Sequence, residues 1–148
     1  MSRINLFLDS SALFAGLLSP TGASRALLLL AETGQIRLTI SEQVVAECER
    51  ALARKAPAAL PDLRSAILAS EAQIVPDPDP ADVRAHLDLI GHAADVPIVL
   101  APMHAGVDFL VTLNRRHFID DPQVAQRSGL RIGDPGDVLA WVRENLRR

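Results

Sequence analysis

Ile4-Asn5-Leu6-Phe7-Leu8-Asp9-Ser10-Ser11-Ala12-Leu13 is a short apolar run that stops abruptly on a carboxylate followed by two hydroxyls. An apolar stretch this short and without alternation reads as a strand buried on both faces, the habit of parallel sheets. Such a strand delivers Asp9 to its C-terminal edge, and in open α/β sheets that edge is where ligands bind. Asp is also a good N-cap for the helix that begins near Ser11. Helix cap and catalytic or metal-binding residue stand as two readings of Asp9.

Outward from this strand, the chain repeats strand and then helices. Helical character over 12–18 is stopped by Ser19-Pro20-Thr21-Gly22, and an Ala- and Leu-rich helix follows over 23–32, with Gly34 placed to end it. Ile36-Arg37-Leu38-Thr39-Ile40 alternates as a strand, Ser41 is an N-cap, and the helix over 42–55 carries Val44, Val45, Cys48 and Leu52 on one face. Helix over 63–69 and a weak strand over 72–75 come next. Asp79-Pro80 opens a helix expected to reach about Ile90, and Asp95-Val96-Pro97 opens another to His104. Strands are expected over 107–112 and 130–132, and a last helix from Asp134. This order predicts an α/β fold with a mainly parallel central sheet of four to five strands, covered by helices on both faces.

The 148 residues suit a single domain spanning 1–148, long enough to bury a core without staples. A formal net charge of −3 argues against holding nucleic acid by bulk positive charge, while leaving room for local basic contacts. The one cysteine, Cys48, has no disulfide partner within the chain and falls on an apolar helix face, as a buried thiol in a reducing compartment would. No apolar run approaches the roughly 20 residues needed to span a bilayer, so the expected location is the cytoplasm.

Among the acids, Glu47 and Glu49 flank the apolar stripe of their helix on opposite sides, and either is able to look along the sheet's edge or to sit in solvent. Asp95 stands just before a proline-initiated helix, a natural cap position. Asp77, Asp79, Asp82, Asp88, Asp134 and Asp137 read as caps and solvent-facing charges. The four histidines, His86, His92, His104 and His117, lack metal-ligand spacing and read as structural or exposed. No phosphate-cradling glycine loop follows the first strand.

Three segments taken in order resemble PIN-domain nucleases, including the toxin components of VapBC-like toxin–antitoxin pairs. They are Leu6 to Leu13, then Ile40-Ser41-Glu42-Gln43-Val44-Val45-Ala46-Glu47, then Asp95 to Ala101 running into Ala105 to Thr112. The resemblance implies that Asp9, Glu47 and Asp95 are catalytic, metal-holding acids, and it favours Glu47 over Glu49. It gives Ser11 a supporting role. Where the family usually carries a further acid, this chain has Asn114, which offers a neutral oxygen but no charge. All-oxygen ligands suit Mg²⁺ or Mn²⁺. The neighbouring Arg115 and Arg116 are candidates for RNA phosphates, since a guanidinium fork matches phosphate oxygens.

With 3% aromatic residues and no tyrosine, recognition of RNA is expected mainly through backbone and shape. Trp141 is expected in the core. The implied activity is a metal-dependent ribonuclease acting as a toxin, with RNA as substrate, a small antitoxin as partner and a homodimer as assembly. The alternative is a catalytically weakened PIN-like module that binds RNA or protein, with Asn114 in place of the fourth acid. An aspartyl-phosphate phosphatase built on Asp9 is disfavoured, because Ser11 stands where a second acid would donate the proton.

Overall fold

The computed structural model describes residues 3–146. Its centre is β1 (Asn5–Leu8), in which Leu6, Phe7 and Leu8 are all buried. Both faces of this strand are covered, which is why its sequence does not alternate. β1 pairs in parallel with β2 (Arg37–Ser41) on one side and β4 (Phe109–Val111) on the other. β3 (Gln73–Val75) adds beyond β2 and β5 (Ile132–Gly133) beyond β4, giving a five-stranded, wholly parallel sheet in the order β3-β2-β1-β4-β5.

The order has a mechanical consequence. The chain steps outward from β1 through β2 to β3, then returns across the sheet to β4 and β5. Right-handed crossovers place the helices of the outward and return legs on opposite faces. On the outward leg α1 (Ser10–Leu18) packs on α2 (Ala23–Glu32), α3 (Glu42–Lys55) and α4 (Leu60–Ser70). The return leg brings α5 (Pro80–Ala85) against α6 (Val96–Ala105), which also meets α7 (Pro122–Ser128). The final helix, α8 (Pro135–Leu146), packs on α2. The reversal falls between β1 and β4, and such a switch point leaves a crevice at the carboxyl ends of the strands.

α2 and α3 occupy the residues their patterns predict, and Ser41 caps α3 by accepting the Val44 N–H at 3.3 Å. Elsewhere the structure departs from expectation for identifiable reasons. α1 begins at Ser10 rather than Ala12, because Asp9 accepts the Ala12 N–H and fixes the first turn. α5 ends at Ala85, well short of Ile90. There the Nδ1 of His86 takes the Asp82 carbonyl at 2.8 Å, the acceptor a continuing helix would use, and the His86 N–H turns to Val83 instead. Neither Asp79 nor Asp95 caps its helix through its side chain. A π-helical turn at Arg115–Ile119 and α7 fill a stretch whose pattern predicted no element. The last strand lies slightly later than expected, at Ile132–Gly133.

Candidate active site

The register of β1 on β4 sets Leu8 opposite Val111, and the Asp9 N–H donates to the Val111 carbonyl at 3.1 Å. Thr112 therefore emerges beside Asp9 at the switch point. Asp9 is 6% exposed and Thr112 fully buried. A buried carboxylate needs donors; the local sequence supplies two and the residue that follows β4 supplies the third. Oδ1 accepts from Ser11 Oγ at 2.7 Å and from the Ala12 N–H at 2.9 Å, while Oδ2 accepts from Thr112 Oγ1. The hydroxyls are fed in turn by main-chain donors, Leu113 N–H to Ser11 and Asn114 N–H to Thr112, each at 3.0 Å. The cap and the site are one and the same group.

Even with these donors, burial holds the Asp9 carboxyl above its ordinary range, and the charge of Glu47 pushes it further the same way. Glu47 projects from α3, half-buried. Gln43, one turn earlier, reaches its Oε2 at 3.4 Å and the Ala94 carbonyl at 3.5 Å, linking α3 to the turn that carries Asp95. Glu49 is exposed and lines an apolar groove with Leu60, Leu68 and Ile74, away from Asp9. Geometry thus separates two glutamates that periodicity alone left equivalent.

Asp95 sits beside a histidine. Its Oδ2 lies 3.1 Å from Nδ1 of His117, whose backbone N–H donates to Asn114 Oδ1 at 3.2 Å. The π-helical turn swings His117 into this position, and the His92 ring stacks on it with centroids 4.8 Å apart. Arg115 is committed elsewhere, its guanidinium 2.7 Å from Asp134. Arg116 is exposed and lines a cleft with His92 and His117.

Asp9, Ser11 and Thr112 form one buried network on which Glu47 acts through its charge; Asp95, Asn114 and His117 form a second. The Asn114 N–H joins them through Thr112. Among the described residues, no three His, Cys, Asp or Glu side chains converge at metal-holding distance. Asp9 and Glu47 offer only carboxyl oxygens, and no Lys or Arg among the described residues pairs with them or with Asp95. That chemistry fits a hard divalent cation.

Residues 5–116 match the family model for the PIN domain, a span that includes Asp9, Glu47, Asp95 and Asn114. The chain belongs to the PIN domain family. Solved structures place its fold in the same company. PAE2754 from Pyrobaculum aerophilum superposes with a TM-score of 0.65 at 19% identity, covering 95% of this chain and 90% of that one. VapBC2 from Rickettsia felis, solved bound to a promoter DNA fragment, gives 0.58 at 19% identity over 88% of this chain and 98% of that one. DNA-bound VapBC from Salmonella typhimurium gives 0.59 at 17% over 90% and 99%. At these identities the likeness is one of fold. No curated protein matches the chain in sequence.

No sequence motif of this PIN domain marks Thr112, His117 or Gln43 as site residues, but strand pairing gives a signal for Thr112. In a parallel sheet, the residue leaving a strand adjacent to β1 must lie beside Asp9. His117 carried no such signal, because the π-helical turn that directs it has no periodic pattern.

Proposed function

We propose that this PIN domain is a ribonuclease dependent on Mg²⁺ or Mn²⁺, working in the cytoplasm as the toxin of a toxin–antitoxin pair. The observation that carries the reading is the buried Asp9 carboxylate at the sheet's switch point, pushed further toward its neutral form by Glu47 and without a cationic side chain to balance it. Asp9 and Glu47 would hold the cation, with Asp95 as the third acid of the site. A bound divalent cation supplies Lewis-acid chemistry, polarising a phosphodiester and stabilising the leaving oxygen. The protein's own part is positional. Ser11, Thr112 and the Ala12 N–H fix the Asp9 oxygens, Gln43 holds Glu47 toward the Asp95 turn, and His117 orients Asp95.

A small antitoxin and a second copy of the chain are the partners this reading implies, in keeping with the VapBC fold neighbours. Exposed apolar side chains such as Leu29, Leu68 and Ile74 are the kind of surface such partners cover.

Purified protein should cleave single-stranded RNA with Mg²⁺ or Mn²⁺ and stop on adding EDTA. Asp9→Asn and Asp95→Asn should each lower the rate by more than the roughly 10- to 100-fold that loss of an outer partner costs a metal site. Activity that survives both substitutions, or is indifferent to EDTA, sinks the mechanism. Asn114 favours a second reading, a weakened binding module, since its side-chain oxygen already serves the His117 N–H and brings no charge. Asn114→Asp separates the two. A gain in cleavage or cation affinity marks a nuclease tempered by asparagine, whereas an inert protein that stays inert marks a binding module.

A further inference from the structure

The paired rings of His92 and His117 lie directly beside Asp95. In a chain with four phenylalanines, one tryptophan and no tyrosine, aromatic surface near the acids is scarce. Phe7 and Phe118 are buried, while Phe14 and Phe109 pack against the core, the latter edge-on to Trp141 at 5.0 Å. His92 is different. It is exposed, its ring is tilted 31° on His117 at 4.8 Å, and His117 is tied to Asp95 at 3.1 Å. Gly91, His92, Arg116, His117 and Asp121 line one cleft of about 290 Å³. Gly91 leaves the approach open, with nothing near the place a Cβ would take. Asp121 is the acidic group of the cleft, and its Oδ1 is occupied in capping α7 through the Gln123 N–H at 3.0 Å. Arg116 enters none of the ion pairs found among the described residues, in contrast to Arg115, which pairs with Asp134.

We infer that the His92–His117 ring pair and Arg116 form a nucleotide subsite next to the acidic centre, where one unpaired RNA base stacks on His92 and an adjoining phosphate meets Arg116. Histidine rings serve as stacking platforms for splayed bases, and stacking tolerates any base because every base has a π-face. Arg116 supplies the planar donor fork that phosphate oxygens match. The subsite rests on the ribonuclease reading and adds to it a place for one nucleotide. It adds a stacking platform to the recognition expected mainly through backbone and shape. Because His117 anchors the platform to Asp95, a base held there is placed in register with the acids.

The test is binding of single-stranded RNA carrying 2-aminopurine at successive positions, in EDTA so that nothing is cut. The wild-type protein should quench the fluorophore, and His92→Ala should abolish that quenching and weaken binding about tenfold, the loss typical of one stacked base. His92→Phe should restore both, and Arg116→Ala should weaken binding and flatten its salt dependence while leaving quenching in the residual complex. Thermal melting of the variants checks that the fold is kept. Protein that binds and cleaves RNA with His92→Ala unchanged, or with His92→Phe failing to rescue, overturns the subsite alone. Protein that neither binds nor cleaves RNA overturns the ribonuclease reading together with it.

Discussion

At the scale of single residues, Asp9 is held by a balance of opposing forces. Three donors favour its charged form, while burial and the charge of Glu47 oppose it and prevail, so its folded pKa stands above the unfolded one. The linkage follows with a definite sign. A group whose pKa is raised by folding contributes its stability below the unfolded value and loses it as pH rises through the folded value. The cation-free protein should therefore lose stability as Asp9 ionises, and at neutral pH Asp9→Asn should raise its Tm and remove that part of the pH dependence. Calorimetric melting of both proteins across pH in EDTA checks this, and a lower Tm for Asp9→Asn at neutral pH would show that the three donors outweigh the burial. Local sequence announced Asp9 twice, as a cap and as a strand-end acid. It did not announce that one set of hydrogen bonds serves both ends. His117 was unreadable for the opposite reason, since its role depends on a turn without a repeating pattern.

At the scale of elements, what was legible had strong local chemistry. α3 fell on its expected residues because Ser41 offers an N-cap and Val44, Cys48 and Leu52 recur at helical spacing, all three buried. Ser41→Ala should cost about 1 kcal/mol, within the roughly 0.5–2 typical of a lost cap, measured by urea unfolding. The substitution also loosens the base of the helix that carries Gln43 and Glu47, so cation affinity should fall modestly with it. α5 was overextended because a side chain, His86, competed successfully for a backbone acceptor, and helical spacing contains no record of that competition. Of the aspartates that stand before proline-initiated helices, Asp134 caps α8 by accepting the Asp137 N–H at 2.8 Å, whereas Asp79 and Asp95 do not cap theirs through their side chains. Asp95 looks like a cap by position, yet its carboxylate is spent on His117.

At the scale of the whole molecule, the strand order does the work that no single motif does. Placing β1 between β2 and β4 puts Asp9 and Thr112 side by side, and α3, following β2, brings Glu47's charge to bear on Asp9. The same packing buries Cys48 completely and pushes its thiol up to about 11. The thiol should resist iodoacetamide at pH 8 in the native protein and react at the rate of global unfolding. The corresponding stability is present below the unfolded thiol's pKa and is lost as pH climbs through about 11. Rapid alkylation of the folded protein would mean that α3 opens locally.

The central claim is that Asp9 and Glu47 together make the cation site, and Mn²⁺ titration of the EDTA-treated, dialysed protein by calorimetry or electron paramagnetic resonance tests it most directly. The account predicts a bound ion whose affinity falls at least about tenfold in both Asp9→Asn and Glu47→Gln, the scale on which metal sites respond to their supporting groups, and is unchanged in Glu49→Gln. Equal affinity in Glu47→Gln and the wild-type protein, or an equal loss in Glu49→Gln, would contradict it.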